Sequence, residues 1–345
     1  MCSSLKDVLI IADGSSEIGM GHLTRELDIG KELQKRGFEV IFLSKNYQEG
    51  IKIIEKERIK IYKIDKTIKN ITEAIENMKK LFAPNFHWFD FIIVDLPYFF
   101  ENQSYIDYLK KYCQKIVIIS DAPKFFKINA DLVFLISSHR DSIFLDDETN
   151  TKYFCGLRYF PLRESFQKVG IKTIKPKVST ILLTFGGSDP MNFSKRILNL
   201  LKKKRVDAEI ILVSGAGYPL GKYKELIIIA DDKISLLRDH KRMIDLYQKA
   251  DICLCSAGNT LIEVLTCGVP AIVLPQTQTE DQRAQKFKKK EMIYNMGLEF
   301  NDEELYQKIS KLISKERIRK KFSSKAQTYL DGKGVKRIVE KLVKN

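Results

Sequence analysis

The sequence predicts an α/β protein with two Rossmann-like, doubly wound domains. Short apolar runs typical of buried strands alternate with amphipathic, helix-like stretches along the whole chain. This alternation is typical of parallel sheets whose strands are joined by helices. It stops once, at residues 166–177, and then begins again. A length of 345 residues also fits two domains better than a single core.

Six strands and three helices are predicted in the first half of the chain. The apolar runs that predict strands lie at 8–12, 39–43, 60–64, 91–95, 115–120 and 132–136. The amphipathic stretches that predict helices lie at 22–36, 70–82 and 103–111. We therefore assign residues 1–165 to an N-terminal Rossmann-like domain.

The break at residues 166–177 separates this half from a second one. The segment is basic, lacks a clear periodicity and contains Gly170 and Pro176, so we predict a linker. Beyond it, predicted strands lie at 180–185, 209–213, 251–255 and 271–274, and predicted helices lie at 191–204, 240–249, 258–267 and 280–292. We assign residues 178–330 to a C-terminal Rossmann-like domain. Residues 331–345 form a C-terminal helix that could pack back on the N-terminal domain.

The composition is that of an ordinary globular protein, with 44% hydrophobic and 30% charged residues. No apolar run approaches the roughly 20 residues that span a bilayer, so we expect no stable membrane insertion. A strand begins almost at once after Met1, which leaves no room for the apolar segment of a signal peptide. Six cysteines form no C-x-x-C pair, and we interpret them as small buried side chains. A cytoplasmic location is expected.

The net charge of +15 raises the question of nucleic-acid binding. The lysines are dispersed through helix-like segments, and the sequence contains no helix-turn-helix, zinc-finger or aromatic single-strand-binding pattern. We therefore expect no nucleic-acid partner. The charge is better explained by solvated lysine-rich faces, or by a general field that favours anionic substrates such as nucleotides.

The loop between the first predicted strand and the first predicted helix is the most informative part of the chain. It contains Gly14, Gly19 and Gly21, and His22 stands at the start of the helix. A strand, a glycine-bearing loop and a helix in this order bind phosphate or substrate at the helix N-terminus. The histidine places a titratable group where anions bind, which points to chemistry as well as binding. A histidine that only caps the helix is the alternative.

A dinucleotide cofactor is the obvious interpretation of such a loop, but the match is poor. Thr24 stands where the dinucleotide motif has glycine or alanine. The second predicted strand ends at Ser44 and Lys45, without the acid that holds a ribose diol. We therefore do not expect a nicotinamide or flavin cofactor.

A second glycine-bearing loop follows the first strand of the second half. Gly186, Gly187 and Ser188 can offer backbone N–H groups and a hydroxyl to an anion. Pro190 suits the first turn of the following helix. A plain tight turn is the alternative.

Two more polar loops follow strands further along the chain. Gly258, Asn259 and Thr260 open a helix, and Glu263 lies on its first or second turn, where a carboxylate can accept two ribose hydroxyls. A surface acid that complements the helix dipole is the alternative. The segment 278–284 could bind sugar hydroxyls or amides through its polar side chains, or could form an acidic helix start.

The motifs in their order resemble the GT-B glycosyltransferase superfamily and, within it, the UDP-2,4-diacetamido-2,4,6-trideoxy-β-L-altropyranose hydrolases of pseudaminic acid biosynthesis. The resemblance spans nearly all of the chain. It is carried by D-G-S-S-E-I-G-M-G-H-L-T-R at 13–25, V-D at 94–95, G-L-R-Y-F-P-L-R-E-S-F at 156–166, F-G-G-S-D-P at 185–190, M-I-D-L-Y-Q-K-A-D-I-C-L-C-S-A-G-N-T-L-I-E at 243–263 and D-Q-R-A at 281–284.

This resemblance implies a GT-B fold, two Rossmann-like domains that face a central cleft, and a UDP-sugar as substrate. His22 would be the general base that directs water at the anomeric carbon. The resemblance places two groups of residues around the substrate. On the sugar side are Asp13, Gly19, Gly21, Arg163, Asp281 and Gln282, and on the nucleotide side are Gly186, Gly187, Ser188, Gly258, Asn259, Thr260 and Glu263. It implies no cofactor and no metal, because glycine-loop amides can take the diphosphate charge. It gives no oligomeric state.

The rival interpretation is a glycosyltransferase that uses a UDP-sugar donor for cell-envelope or surface glycan synthesis. The peptidoglycan N-acetylglucosaminyltransferases also have a glycine-rich first loop that ends in histidine. Their second loop is typically G-G-S-x-G-A, whereas Asp189 and Pro190 follow the serine in this chain. On this pattern we favour hydrolysis over transfer. A sugar-nucleotide-binding protein without catalysis is a third class, disfavoured because His22 is present.

Overall fold

A computed structural model gives the fold. It describes residues 6–15, 19–65, 67–68, 73, 76–78, 80, 88–96, 102–121, 125–136 and 142–344. The chain divides into two compact units: the first comprises residues 1–164 and 332–345, and the second comprises residues 165–331. Each unit contains one sheet flanked by helices.

The first unit is built on an eight-stranded sheet in the order β3-β2-β1-β4-β5-β6-β8-β7. All neighbouring strands are parallel except β7, which pairs antiparallel with β8 at the edge. The strands are β1 (Lys6–Ala12), β2 (Phe38–Lys45), β3 (Lys60–Ile64), β4 (Phe89–Asp95), β5 (Cys113–Ser120), β6 (Leu132–Leu135), β7 (Ser142–Asp146) and β8 (Thr151–Cys155).

Helices cover the sheet of the first unit and return the chain between its parallel strands. They are α1 (Gly21–Lys35), α2 (Gln48–Lys56), α3 (Gln103–Leu109) and, from the end of the chain, α12 (Gly334–Lys344). The strands β1 and β4 are apolar along almost their whole length, as expected of strands covered on both faces. Helix α12 buries Val335, Ile338, Val339 and Leu342 and packs against α1, so the C-terminal helix is part of the first unit.

The second unit is built on a six-stranded parallel sheet in the order β11-β10-β9-β12-β13-β14. Its strands are β9 (Thr180–Thr184), β10 (Glu209–Ser214), β11 (Ile234–Arg238), β12 (Ile252–Cys255), β13 (Ala271–Val273) and β14 (Ile293–Asn295). The remaining helices are α4 (Glu164–Gln167), α5 (Phe193–Lys203), α6 (Leu220–Ile229), α7 (Met243–Lys249), α8 (Asn259–Thr266), α9 (Gln278–Lys289), α10 (Asp302–Ser314) and α11 (Glu316–Tyr329).

Both sheets repeat the strand order 3-2-1-4-5-6 of the doubly wound fold, counted from the first strand of each unit. The order reverses between β1 and β4 in the first sheet, and between β9 and β12 in the second. Ligands of doubly wound sheets bind outside the carboxyl ends of the strands at this switch point. The fold therefore predicts that ligands bind near the carboxyl ends of β1, β4, β9 and β12.

The predicted fold class is confirmed, and each of the ten predicted strands lies on an observed strand. Four strands (β7, β8, β11 and β14) and three helices (α2, α4 and α6) were not predicted, whereas α10 and α11 lie in the part of the chain from residue 302 that the sequence predicts to be mostly helical. The helix predicted at 70–82 lies largely outside the described residues.

The segment predicted as a linker, residues 166–177, lies in the second unit. The side chain of Arg319 is fully buried and donates hydrogen bonds to the carbonyl oxygens of Lys175 and Pro176. Lys172 donates its Nζ to the carbonyl oxygens of Tyr247 and Gln248 at 3.2 and 2.9 Å. The segment lacks regular structure for most of its length, yet hydrogen bonds of its backbone carbonyls and of the Lys172 side chain hold it to the rest of the unit.

Within the described ranges, no helix is long and apolar enough to cross a membrane.

Candidate functional site

The switch point of the first sheet brings His22 and Asp95 together. Asp95 is the last residue of β4, and its Cα pairs with that of Ala12 at the end of β1. The loop after β1 leads into α1, which begins at Gly21 without a side-chain N-cap. His22 lies on the first turn of α1, and its Nδ1 is 2.8 Å from Oδ1 of Asp95 at the end of β4. The histidine is mostly buried, with 16% of its side chain exposed, and the aspartate is buried.

Arg25 holds the same carboxylate from the next turn of α1. Its Nε donates to Asp95 Oδ2 and its Nη2 to Asp95 Oδ1, both at 2.5 Å. Its Nη1 donates to Asp121 Oδ2, which follows β5, at 3.1 Å. A bidentate hydrogen bond from a guanidinium fixes both the position and the plane of a carboxylate. Asp95 is therefore held rigidly where it meets His22.

The neighbours of His22 select one tautomer of its ring. Nδ1 lies 2.8 Å from Asp95 Oδ1 and 2.9 Å from Arg25 Nη2, and these two contacts need opposite protonation of Nδ1. Both hydrogen bonds would be charge-assisted, but an unprotonated Nδ1 would face the anionic Oδ1 of Asp95 with no hydrogen between them, whereas Nη2 keeps Asp95 as its acceptor. We therefore place the proton on Nδ1. Nε2 is then the basic nitrogen.

Both aspartates of this cluster are ionised. Burial acts to raise the pKa of Asp95, but the charge and hydrogen bonds of Arg25 and the bond to His22 hold that pKa below its usual value. The pKa of Asp121 is lowered in the same way, because Arg25 outweighs the effect of burial. With one guanidinium and two carboxylates, the cluster carries a net charge of −1 while His22 is neutral. A proton taken up by His22 would cancel that charge.

Glu26 is a member of this cluster that the sequence analysis missed. It lies on α1 one turn after His22 and is fully buried. Burial raises the pKa of Glu26 well above its usual value, and the nearby negative charge of Asp95 raises it further. Its surroundings therefore favour the neutral acid. An i, i+4 pair of His and Glu at a helix start is visible in the sequence and was the available signal.

Asp13, predicted on the sugar side, is buried and faces the end of β2. Its Oδ1 accepts hydrogen bonds from the hydroxyl of Ser44 at 3.0 Å and from the backbone N–H of Lys45 at 2.7 Å. Burial raises the pKa of Asp13, and these hydrogen bonds only partly counter it. In this structure Asp13 ties β2 to the loop after β1, so it shapes the loop that leads to His22.

Other residues predicted on the sugar side have different surroundings. Gly19 is exposed and its carbonyl oxygen accepts from the N–H of Ser15, and Gly21 is half-buried at the start of α1. Arg163 is exposed, and its charge acts on Asp28 of α1. The structure thus places Arg163 near a carboxylate in the same unit.

The switch point of the second sheet lies between β9 and β12, and the loop after β9 packs on the loop after β10. The loop 185–189 follows β9, and Gly187 and Ser188 are exposed in it. Gly186 has φ +77°, a conformation that residues with a side chain rarely adopt. The loop after β10 packs directly beneath, because a Cβ on Gly215 would stand 2.5 Å from both the Cα and the carbonyl oxygen of Gly187. This close contact fixes the distance between the glycine loop and the loop after β10.

The helix after this loop starts later than predicted. Helix α5 begins at Phe193, so the placement of Pro190 in its first turn is wrong. Asp189 is the reason: its two carboxylate oxygens accept the backbone N–H groups of Phe193 and Ser194 at 2.9 and 2.8 Å. The N-terminus of α5 is thus occupied by the protein's own carboxylate. An anion at the glycine loop would depend on the loop's own N–H groups.

Helix α8, at the other side of the switch point, has an open N-terminus. Its N-cap is Gly258, which has no side chain to bind the first N–H groups, and Asn259 is exposed. The positive end of the helix dipole therefore carries no side-chain cap, and Glu280 Oε1 lies 3.5 Å from where a Cβ on Gly258 would stand. Glu263 lies on the second turn and is half-buried, and its Oε2 accepts a hydrogen bond from the hydroxyl of Tyr247 at 2.9 Å.

The start of α9 holds the last two predicted residues. Asp281 Oδ1 accepts from Asn295 Nδ2 at 2.7 Å, so its carboxylate is engaged within the protein, and Gln282 is exposed. Glu280, in the predicted polar segment 278–284, and Gln276, which was not predicted as a site residue, lie beside them. Glu280 Oε2 accepts the N–H of Gln276 at 2.8 Å and that of Ala257 at 3.3 Å, which ties the loops after β12 and β13 together.

Gln276 extends this network to the glycine loop, since its Nε2 donates to the carbonyl oxygen of Phe185 at 3.0 Å. The loops after β9, β12 and β13 therefore form one hydrogen-bonded rim at the carboxyl edge of the second sheet. Among the residues that the structure describes, no group of three or more His, Cys, Asp or Glu is placed to hold a metal ion.

Comparisons with known proteins agree with this architecture. The sequence profile described as "Glycosyltransferase family 28 C-terminal domain" matches residues 181–342. A crystal structure of Acinetobacter baumannii MurG superposes with a TM-score of 0.71 at 17% identity and covers 99% of this chain and 100% of that one. The chain thus has the GT-B fold, with a glycosyltransferase-like C-terminal half.

Three curated relatives share the sequence at low identity. An uncharacterised protein of Methanocaldococcus jannaschii is 29% identical over 82% of this chain, and the match spans only 58% of that protein's length. The spore coat polysaccharide biosynthesis protein SpsG of Bacillus subtilis is 24% identical over 95% of both chains. A UDP-N-acetylglucosamine–N-acetylmuramyl-(pentapeptide) pyrophosphoryl-undecaprenol N-acetylglucosamine transferase of Caldanaerobacter subterraneus is 25% identical over 56% of this chain and 59% of that protein.

Proposed function

We propose that this protein is an enzyme that acts on a UDP-linked sugar, with His22 as the base that activates the attacking oxygen. The observation that carries the proposal is the pairing of His22 with Asp95, 2.8 Å apart at the switch point of the first sheet. A histidine oriented through Nδ1 by a buried carboxylate is the arrangement that enzymes use to deprotonate a hydroxyl or water. Arg25 keeps that carboxylate in place.

The proposed step moves one proton and exchanges one bond. Nε2 of His22 takes the proton of the attacking hydroxyl while its oxygen forms a bond to the anomeric carbon. The bond from the anomeric carbon to the diphosphate oxygen breaks, and its electron pair leaves with UDP. The new imidazolium brings the charge of the buried cluster from −1 to zero. A buried site favours such neutralisation, because charge separation costs more where water is excluded.

The second unit supplies the nucleotide site of this proposal. The diphosphate would take hydrogen bonds from the backbone of Gly186, Gly187 and Ser188, and the open N-terminus of α8 adds its dipole. Glu263 would accept the hydroxyls of the ribose. Because Asp189 occupies the N-terminus of α5, we assign the diphosphate to the loop amides and to Asn259 at the start of α8.

We propose sugar transfer as the main activity. The family 28 profile over residues 181–342 and the N-acetylglucosamine transferase among the relatives support it. The acceptor would be a hydroxyl of a cell-envelope or surface glycan, and the role of the Bacillus subtilis relative in spore coat polysaccharide biosynthesis is in line with that. UDP-N-acetylglucosamine is the first donor to test, because it is the donor named for the transferase relative.

Hydrolysis of a UDP-linked 2,4-diacetamido-2,4,6-trideoxyhexose, as a step of pseudaminic acid biosynthesis, is the second candidate. One observation favours it. The glycine loop departs from the G-G-S-x-G-A pattern of the peptidoglycan transferases at Asp189, and that residue occupies the helix N-terminus. The two candidates share His22, the nucleotide site and the bond that breaks. They differ in the sugar and in whether the attacking oxygen belongs to an acceptor or to water.

One assay separates these candidates. The purified protein is given UDP-N-acetylglucosamine or the UDP-linked diacetamido sugar, each with and without a detergent extract of membrane lipids and glycans as the acceptor source, and release of UDP and of free sugar is followed. Release of UDP only when the extract is present supports transfer. Stoichiometric UDP and free sugar without extract supports hydrolysis. If the protein binds neither UDP nor a UDP-sugar, the proposal is wrong.

A variant of the base tests the proposed role of His22. His22→Ala should lower turnover at least about a hundredfold, the usual contribution of a general base. The dissociation constant of UDP should stay within about twofold, because the proposed nucleotide residues all lie in the second unit. Unchanged turnover in this variant would exclude His22 as the base.

A further inference from the structure

Tyr247 carries a hydroxyl that the proposed reaction does not use. It lies on α7, the helix before β12, and only 1% of it is exposed. A buried tyrosine needs a hydrogen-bond partner for its hydroxyl. Here the partner is the carboxylate of Glu263, at 2.9 Å, rather than a backbone carbonyl. Burial and the nearby Glu263 charge raise the pKa of Tyr247 well above its usual value, so the hydroxyl stays a donor.

The tyrosine itself is held in place on several sides. Its ring contacts that of Phe166, with the centroids 6.3 Å apart. Lys172 donates its Nζ to the carbonyl oxygens of Tyr247 and Gln248, which fixes the last turn of α7. Glu263, in contrast, is half-buried on α8 and has a long side chain that can adopt several rotamers. A rigid donor therefore holds one oxygen of a carboxylate on a side chain with several rotamers.

We propose that Tyr247 is a positioning residue that orients the Glu263 carboxylate to receive both hydroxyls of a ribose. It thereby sets a preference for ribonucleotides over 2′-deoxyribonucleotides. The inference rests on the proposed function, because it assumes that Glu263 faces the ribose of UDP. The Tyr247 hydroxyl holds Oε2 and so gives the Glu263 carboxylate plane one orientation. The carboxylate can accept two neighbouring ribose hydroxyls only in that plane. Loss of the fixed orientation should cost more for a diol than for a single hydroxyl.

The test measures the binding of UDP and of 2′-deoxy-UDP by calorimetry. For the unaltered protein we expect UDP to bind about tenfold more tightly, since a site built to bind a hydroxyl discriminates against the analogue that lacks it. Tyr247→Phe should weaken UDP about fivefold and 2′-deoxy-UDP less than twofold. Tyr294→Phe is the matched control, because Tyr294 lies on β14 of the same unit and packs on Phe322. It should change neither constant.

A second pair of variants separates positioning from a purely structural role. Glu263→Gln should abolish the preference for UDP, and Tyr247→Phe added to it should cause no further loss. An equal loss for both nucleotides in Tyr247→Phe, or no loss for either, overturns the inference. If Tyr247→Phe does not fold, Tyr247→Met removes the same hydroxyl with a flexible apolar side chain and should give the same selective loss.

The outcomes also separate this inference from the proposed function. If the unaltered protein binds neither nucleotide, the proposed function fails and this inference falls with it. If UDP binds and Glu263→Gln weakens it, but Tyr247→Phe behaves like Tyr294→Phe, only the role of Tyr247 is wrong.

Discussion

Arg25 and Asp95 face each other through two parallel hydrogen bonds of 2.5 Å, from Nε to Oδ2 and from Nη2 to Oδ1. Both side chains are buried, with 4% and 1% exposed. One is on the first helix of the chain and the other at the end of β4, 70 residues away. The pair locks the first helix onto the switch point of the sheet, and His22 is bound to the same carboxylate.

The first prediction concerns Asp95. In Asp95→Asn an amide replaces the carboxylate, so His22 loses its charged acceptor and Arg25 keeps only Asp121 as a carboxylate partner. We expect kcat to fall at least about a hundredfold, because the ring is no longer held in the active tautomer. The dissociation constant of UDP should stay within about twofold. The measurement is initial rates with calorimetric binding of UDP.

Stability gives the control for this prediction. Asp95→Asn leaves Arg25 a buried cation without its full partner, which costs on the order of 3–5 kcal/mol. Rates are therefore compared at a temperature where circular dichroism shows the variant folded. If the folded variant keeps the kcat of the unaltered protein, Asp95 does not assist His22.

The second prediction is a pH dependence that arises from Glu26. Burial raises the pKa of Glu26 in the folded protein above 4.5, its usual value. Above pH 4.5 the unfolded chain loses this proton while the folded protein keeps it. The free energy of unfolding therefore falls as the pH rises, by about 1.4 kcal/mol per pH unit from this group, until the folded pKa is reached.

Glu26→Gln tests this because glutamine is neutral at every pH and nearly the same size. As the pH rises above 4.5, the unfolding free energy of Glu26→Gln should increase relative to that of the unaltered protein. Urea denaturation at several pH values measures it. Asp28, whose pKa burial raises to about 6, gives a slope of the same sign in both proteins, and that slope cancels in the difference. A difference that does not change with pH would mean that Glu26 is ionised in the fold.

The sequence predicted the parts of the fold that rest on local patterns. β1, β4 and β9 are continuous apolar runs, and each was found. The missed strands are different. β7 exposes Ile143 and Leu145 as an edge strand, and β11 at the other sheet's edge is only partly buried, so neither has the pattern of a covered strand.

The candidate site residues could be proposed from the sequence only one loop at a time. His22, the glycine loop and Glu263 each follow a strand, and the pattern of strand, loop and helix identifies them. Asp95 appeared in the sequence as the end of a strand within a motif, but its partners could not be read from it. The contacts of Asp95 with Arg25 and of Glu263 with Tyr247 join separate elements, and only the strand order brings them together.

The third prediction concerns Asp189 as the cap of α5. Its two bonds to the N–H groups of Phe193 and Ser194 are lost in Asp189→Ala, which should destabilise the protein by about 1–2 kcal/mol. Asp189 also has φ +44°, which Asn tolerates better than Ala. Asp189→Asn should therefore recover most of the stability. Chemical denaturation of the three proteins measures this. Equal stability of the Ala variant and the unaltered protein would show that the cap contributes nothing.

The fourth prediction uses two glycines of the second unit as a matched pair. A Cβ on Gly215 would stand 2.5 Å from the Cα of Gly187, whereas one on Gly221 would meet nothing within 4 Å. Gly215→Ala must therefore push the glycine loop away from the loop after β10, and the loop amides move with it. We expect UDP to bind at least about tenfold more weakly, because the hydrogen bonds to the diphosphate depend on loop position.

Gly221→Ala is the control, since it lies in the exposed first turn of α6, where alanine is a better helix former than glycine. It should leave UDP binding unchanged and raise stability by up to about 1 kcal/mol. Calorimetry measures the UDP affinity of both variants, and thermal denaturation measures their stability. If Gly215→Ala binds UDP as tightly as Gly221→Ala does, the diphosphate does not rest on the glycine loop, and the open N-terminus of α8 becomes its only proposed site.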